Sequence, residues 1–122
     1  MNRKLTPSER RAYTHVQSST IDRARVRSLA WLPGQFKGIT LGHTMFLTTE
    51  EPTDGTSTLI AHELVHVEQY GDRGWLGFLR WYLTDFAKGL WADRNWMKAY
   101  RGVTAEVEAR TTTQAWTLGR RS

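Results

Sequence analysis

The segment HELVH, residues 62–66, places two histidines at helical spacing with a glutamate directly after the first. Residues four positions apart lie on the same face of an α-helix, so both imidazoles can reach one metal ion. Glu63 lies beside that face, where its carboxylate can accept a proton from a metal-bound water. Zinc lowers the pKa of such a water to about 7. The motif therefore predicts a zinc site formed by His62 and His66, with Glu63 as the general base.

The chemistry of the chain restricts which other residues could hold that metal. There is no cysteine, which excludes disulfide scaffolds and thiolate zinc sites and leaves His, Asp and Glu as ligands. An ordinary exposed helix face is the competing interpretation of the motif. The uncharged pairs at residues 59–60 and 64–65 allow the helix to be buried behind the metal, which favours the metal site.

The elements that must position the motif are those of a small α+β protein. The 122 residues suffice for one domain, residues 1–122, with one core. Thr6, Pro7 and Glu9 form a capping-box pattern that predicts a helix to about residue 17. Alternating basic and apolar residues predict a strand over residues 21–32. Pro33-Gly34 predicts a turn into one or two strands over residues 36–47, and hence an antiparallel pair.

Helical patterns occupy the rest of the chain. The motif helix is predicted from about residue 56 to a C-terminal cap at Gly71, and a second helix over residues 75–88. Residues 89–102 look irregular. A last helix is predicted from an N-cap at Thr104 to about residue 118. The predicted fold is α+β, with a small antiparallel or mixed sheet packed on the motif helix and further helices closing the site.

With its HExxH helix directly after a strand-rich segment, the chain resembles the zincin metallopeptidases, among them the very small single-domain mini-zincins. The resemblance covers about residues 36–109. It implies a mixed sheet before the motif helix, with an edge strand, residues 39–47 here, that binds substrate in an extended form. Glu68 departs from the family signature, which prefers an apolar residue at that position.

The resemblance also implies a third ligand. In the branch with a glutamate ligand, a Glu on a later helix is followed three residues on by a small residue. Glu106 and Ala109 fit this pattern, although Arg110 replaces the Asp that often comes next. Glu108 is close by, but two residues along a helix is about 200° around, so both glutamates cannot face the metal.

The branch with an aspartate ligand implies Asp72 instead. That branch needs a glycine three residues after the second histidine, where this chain has Gln69, with its glycine at Gly71. Glu106 is therefore the preferred third ligand, and Asp72 and Glu108 stay open. The family often adds a donor that stabilises the tetrahedral oxyanion. Tyr100 is the candidate here, with a packed core tyrosine as the competing interpretation.

These residues together predict zinc-dependent hydrolysis of a peptide bond in a peptide or protein substrate. One alternative is a zincin-like module of weak or no activity that binds or regulates, which the small size favours. The other is a basic peripheral membrane or nucleic-acid-binding protein in which HExxH is incidental. Metal content distinguishes the membrane or nucleic-acid-binding protein from the other two. Hydrolysis distinguishes the peptidase from the zincin-like module.

The charge and hydropathy of the chain bear on its partners. The net charge of +5 comes mainly from scattered arginines, a distribution that favours a solvated basic surface over a nucleic-acid interface. The basic N-terminus has no apolar run behind it, and no run approaches the roughly 20 apolar residues of a membrane span. We therefore expect a cytoplasmic location.

Residues 75–86, from Trp75 to Phe86, are apolar around most of the helical circumference. The remaining core of so small a domain cannot cover one helix on all sides. We therefore expect one face in the core and the other in a homodimer or on a membrane surface, extended by Trp91 and Trp96.

Zinc binding should depend on His62 and His66 together. His62→Ala or His66→Ala should abolish stoichiometric zinc, because each removes one of two ligands on a shared helix face. His43→Ala and His15→Ala should retain it. Metal analysis of the purified variants measures this, and a full equivalent of zinc in the His62→Ala protein would show that the site is wrongly assigned.

Overall fold

The computed structural model describes residues 2–33 and 36–120 of the chain. Its elements follow in the order β1 (Arg3–Lys4), α1 (Pro7–Ala12), α2 (Ser18–Arg23), β2 (Arg25–Ser28), β3 (Gly38–Leu41), β4 (Thr44–Leu47), α3 (Thr58–Asp93), α4 (Trp96–Gly102) and α5 (Thr104–Arg120). This is the predicted α+β class, with a small mixed sheet and a larger helical part.

The four strands lie in the order β1-β2-β4-β3. β1 is antiparallel to β2, β2 is parallel to β4, and β4 is antiparallel to β3. β3 is therefore an outer strand of the sheet. It also contacts α3, which lies across one face of the sheet. The sheet thus presents an open strand edge beside the motif helix.

The predicted start of the first helix is confirmed, and its predicted end near residue 17 is wrong. The Thr6 hydroxyl accepts from the Glu9 backbone N–H at 3.1 Å, and the Glu9 carboxylate accepts from the Thr6 backbone N–H at 2.8 Å. This capping box begins α1, which ends at Ala12 and not near residue 17. The strand predicted for residues 21–32 is only Arg25–Ser28, because Ile21 is buried as part of a short helix, α2.

The predicted antiparallel pairing across Pro33-Gly34 is wrong. After β2 the chain leaves the sheet and returns at its far edge as β3, so that β2 meets β4 in parallel. Pro33 precedes Gly34, which lies outside the described residues. The antiparallel pair is instead β3 and β4, which turn at Gly42. Gly42 has a φ of 65°, a conformation that favours glycine, and the Trp75 indole occupies the space next to it.

Helix α3 begins at an N-cap formed by Ser57, whose hydroxyl accepts from the Ile60 backbone N–H at 3.1 Å. Its buried apolar face joins the sheet and α5 in the main core. The buried core residues that pack together there are Leu5, Tyr13, Ile21, Ala24, Val26, Met45, Leu47, Ile60, Ala61, Leu64, Val67 and Trp116. The motif helix is thereby anchored behind its histidines, as the uncharged residues within it predicted.

The predicted helix end at Gly71 is wrong, because α3 continues to Asp93 with a kink at Gly74. Gly74 has φ 74° and ψ 168°, a conformation essentially restricted to glycine. Aromatic packing closes the kink: the Tyr70 ring lies 3.9 Å from the Phe78 ring and 5.1 Å from the Trp75 ring, measured between centroids. The kink divides α3 into an N-terminal half, residues 58–73, and a C-terminal half, residues 75–93.

Residues 89–102, predicted to be irregular, are helical except at one short break. Arg94 ends α3 in the left-handed conformation, with φ 53°. Asn95 then caps α4 by accepting from the Lys98 backbone N–H at 3.1 Å. Thr104, predicted as an N-cap, is instead the first residue of α5, and its N–H donates to the Asp85 carboxylate at 3.0 Å.

The C-terminal half of α3 leaves part of its apolar surface open. Leu76, Leu83 and Trp91 are 84%, 60% and 81% exposed. Among the described helices, none combines the length and hydropathy needed to cross a membrane.

Any residue with a side chain at position 74 should destabilise the protein. Gly74→Ala should lower the free energy of unfolding by about 1–3 kcal/mol, because alanine is strained in that backbone conformation. No described atom lies within 4 Å of the added Cβ, so the cost comes from the backbone and not from a clash. Urea denaturation measures this change.

Gly77→Ala is the matched control. Gly77 is helical and exposed, and its added Cβ meets only the Arg73 side chain. Alanine should therefore raise the free energy of unfolding by about 0.5–1 kcal/mol. If the free energy of unfolding changed in the same direction in the Gly74→Ala and Gly77→Ala proteins, the kinked conformation would be contradicted.

Candidate metal centre

The two motif histidines lie on the inner face of the N-terminal half of α3. Their ring centroids are 5.1 Å apart. His66 is buried, whereas the side chain of His62 is 20% exposed. His62 is therefore the more solvent-accessible of the two histidines.

Glu106, in the first turn of α5, meets both histidines. Its Oε1 atom lies 3.1 Å from His62 Nε2 and 3.1 Å from His66 Nε2. Its Oε2 atom accepts a hydrogen bond of 2.9 Å from the Tyr82 hydroxyl. One buried carboxylate thus joins both halves of α3 to α5.

Electrostatics link Glu106 and His66 strongly. Burial alone would raise the pKa of Glu106, but the hydrogen bonds from His62 and His66 outweigh it and hold that pKa well below its usual range. Burial would likewise lower the pKa of His66, but the hydrogen bond to Glu106 and the nearby Glu63 charge raise it to about 9. The carboxylate is therefore ionised and matched by positive charge on the imidazole.

Gln69 fixes the orientation of the buried histidine. His66 Nδ1 lies 2.8 Å from Gln69 Oε1, so Nδ1 is the donor of that pair and Nε2 faces Glu106. The Gln69 amide nitrogen donates to the Ala105 carbonyl at 3.1 Å and to Glu108 at 3.0 Å. Gln69 therefore accepts from the histidine and donates to α5 at the same time.

Glu63 faces the sheet beside the histidines and is 5% exposed. The Thr40 hydroxyl on β3 lies 3.0 Å from Glu63 Oε1 and 3.2 Å from the Glu63 backbone oxygen, and can donate to one of them at a time. The other carboxylate oxygen, Oε2, is 4.0 Å from His62 Nε2. Thr40 thus fixes one oxygen of Glu63 and leaves the other near the histidines.

Two tyrosines contribute to the same centre. Tyr100, the residue singled out for the oxyanion, lines the cavity next to Glu63 and Glu106. Burial and the charge of Glu106 raise its pKa, so the hydroxyl keeps its proton. Tyr82 has a raised pKa for the same two reasons, and its proton is committed to Glu106.

The other candidate ligands lie elsewhere. Asp72 is exposed, and Glu108 is exposed on α5 with its carboxylate bound to Gln69. His43 is exposed at the turn between β3 and β4. His15 is half-buried, with its Nε2 atom 2.8 Å from the Ala61 carbonyl oxygen.

The donor set fits a divalent cation. Ligand atoms of His62, Glu63 and His66 all lie within 4.8 Å of one another. The 3.1 Å spacing between Glu106 Oε1 and each Nε2 is comparable to the spacing of neighbouring ligands about 2.0–2.2 Å from a shared zinc ion. Two nitrogens and one carboxylate oxygen are a typical catalytic zinc set. In the described part of the chain, only His62 and His66 form ion pairs with Glu106.

Sequence reasoning did not assign Gln69, Tyr82 or Thr40 to the centre. Gln69 lies three residues after His66, a spacing at which helical side chains meet, so a contact between them could be predicted from the sequence. Gln69 was considered only as the residue that stands where the branch with an aspartate ligand needs a glycine. Thr40 and Tyr82 carry no such signal. They reach the centre only through the sheet edge and the kinked helix, respectively.

Part of the chain, including the motif helix, is similar to a known protein family. Residues 17–74 match the eCIS core domain, which is slightly less than half of the chain. The match includes His62, Glu63 and His66 and ends at the kink, so Tyr82 and Glu106 lie beyond it. No curated protein and no solved structure matches the chain.

Gln69 should matter to metal affinity although it cannot reach the metal. Gln69→Leu should weaken zinc binding by about 10–100-fold, because His66 loses the acceptor that orients its ring. Glu108→Gln is the control, since Gln69 then keeps its bonds to His66 and Ala105. Competition with a chromogenic chelator measures both. Equal zinc affinity in the Gln69→Leu and wild-type proteins would show that Gln69 does not orient the His66 ring for metal binding.

Proposed function

We propose that this protein is a zinc-dependent peptidase in which His62, His66 and Glu106 hold the metal and Glu63 is the general base. The observation that carries the proposal is the convergence of both Nε2 atoms on one Glu106 oxygen, 3.1 Å from each, next to a buried glutamate. Similarity to the eCIS core domain covers the motif, but the description of that domain names no reaction.

The chemistry follows from the donor set. A bound zinc ion would lower the pKa of a water ligand to about 7 and polarise a peptide carbonyl. Zinc binding would displace the proton of His66, because an imidazole ligand must be neutral. Two neutral imidazoles and one carboxylate would then leave the zinc site with a net positive charge. Tyr82 would keep Oε2 of Glu106 occupied, so that Oε1 is the oxygen directed at the histidines.

Glu63 suits the role of base by its placement. Thr40 binds one carboxylate oxygen at 3.0 Å, and the other lies on the side of the histidines, 4.0 Å from His62 Nε2. A base in this position would accept a proton from the attacking water and would pass it to the leaving amine.

Substrate binding is supported by the open edge of β3. Thr48 N–H donates to the Lys37 carbonyl at 2.8 Å, and in an antiparallel ladder bonded and unbonded residues alternate. The backbone groups of Gly38 and Thr40 therefore point away from β4, where an extended peptide can pair with them. Tyr100, with its retained proton, would donate to the oxyanion above the reacting carbonyl.

Glu63→Gln should separate chemistry from metal binding. The amide keeps the shape of the side chain but cannot accept the proton, so hydrolysis of an unfolded protein substrate should fall by about 100-fold or more with zinc still bound. Glu50→Gln, an exposed loop substitution, is the control. Peptide mass analysis measures the products.

A wild-type protein that holds zinc but cleaves no unfolded substrate would favour the alternative of a zincin-like binding module. A purified protein without zinc or any other divalent metal would instead contradict both metal-based functions and favour a basic surface-binding protein.

A further inference from the structure

An apolar cavity of about 350 Å³ opens directly onto the candidate metal centre. Glu63, His66 and Glu106 are among the residues that line it. Residues of β3, of the C-terminal half of α3 and of α4 also line it. The cavity therefore lies between the strand edge available to a peptide and the helix that follows the kink.

The sides of the cavity are large and apolar. Phe36, Trp96 and Tyr100 form one aromatic cluster, with centroids 5.8 Å apart for Phe36 and Trp96 and 4.9 Å apart for Phe36 and Tyr100. Leu83 and Phe86 from α3 also line the cavity, and the Phe86 ring lies 5.9 Å from the Trp96 ring between centroids. Among the described residues that line the cavity, the ionisable groups other than tyrosines are Glu63, His66 and Glu106, which are the proposed base and two of the proposed ligands.

This lining discriminates between substrate side chains. A charged side chain would lose its hydration in the cavity and find no opposite charge along the apolar sides. A large apolar side chain would gain burial of apolar surface, up to about 150–250 Å² for an aromatic ring. An alanine would leave most of the cavity unfilled and lose those contacts.

We propose that this cavity binds a bulky apolar side chain, aromatic or long aliphatic, of the residue next to the peptide bond that is cleaved. The inference rests on the proposed peptidase function and names its substrate class: polypeptide segments with a Phe, Tyr, Leu or Met beside the cleaved bond. A polypeptide suits the cavity because β3 supplies backbone groups for an extended chain along the same opening.

The test compares short blocked peptides of alanine and serine that carry Phe, Leu, Ala or Glu at one central position. Wild type should cleave next to that position, with kcat/KM for Phe and Leu at least about tenfold above that for Ala and higher still above that for Glu. Mass analysis of the products locates the cleaved bond. Equal rates for Phe and Glu, or cleavage unrelated to the central residue, would overturn the proposal.

Leu83→Arg provides the specificity variant. Leu83 is 60% exposed at the edge of the cavity, so the protein should fold with arginine there. The guanidinium should lower the ratio of kcat/KM for Phe over Glu by at least about tenfold. Because both rates come from the same variant, changes in metal or base cancel in this ratio.

Leu90→Arg is the matched control, since Leu90 is an exposed leucine two helical turns further along α3 that does not line the cavity. Its ratio for Phe over Glu should equal that of wild type. An equal fall in the Leu83→Arg and Leu90→Arg proteins would assign the effect to general charge and overturn the role of the cavity.

Binding to the Glu63→Gln protein distinguishes failure of the cavity from failure of the peptidase. The Phe peptide should quench tryptophan fluorescence, because Trp96 lines the cavity, and Leu83→Arg in the same background should weaken that binding at least about tenfold. Such binding without any hydrolysis by wild type would overturn the peptidase and retain the cavity. Hydrolysis without preference for apolar residues would retain the peptidase and overturn the cavity. Absence of both binding and hydrolysis would overturn both proposals.

Discussion

The Glu106 carboxylate lies in the protein interior, and the arrangement of the helices follows from its need for partners. An ionised carboxylate loses several kcal/mol of hydration on burial, on the order of what a whole small domain has as net stability. Two imidazoles and one phenol compensate that loss here. Each comes from α3, whereas the carboxylate comes from α5. The interaction therefore specifies how these helices lie against each other.

The kink at Gly74 is what makes this arrangement possible. In a straight helix, Tyr82 would lie about 24 Å along the axis from His66, because each residue adds about 1.5 Å. In the kinked helix both side chains bind the same carboxylate, at 3.1 Å for His66 and 2.9 Å for Tyr82. The change of direction also brings Phe78 onto Tyr70, so that aromatic packing stabilises the kink from inside.

Features with a local origin could be predicted from the sequence. The capping box at Thr6, the motif helix with its buried rear face, and a pair of strands before it depend on neighbours a few residues apart. The resemblance favoured Glu106 as the candidate third ligand, and in the structure Glu106 contacts both histidines, whereas Asp72 is exposed and Glu108 binds Gln69. The parallel pairing of β2 with β4 and the continuation of α3 past Gly71 depend on contacts between distant residues, which no short pattern records.

One further consequence follows from the single glycine that joins the two halves of α3. The histidines and Glu63 precede it, and the cavity side formed by Phe78, Leu83 and Phe86 follows it. Leu83 and Phe86 line the cavity but supply no hydrogen bond or ion pair to the centre, so they can be exchanged while the donor atoms keep their places. Within α3, the residues proposed for reactivity therefore precede the kink and those proposed for selectivity follow it, so that substitutions of Leu83 or Phe86 can reshape the cavity while the histidines and Glu63 stay as they are.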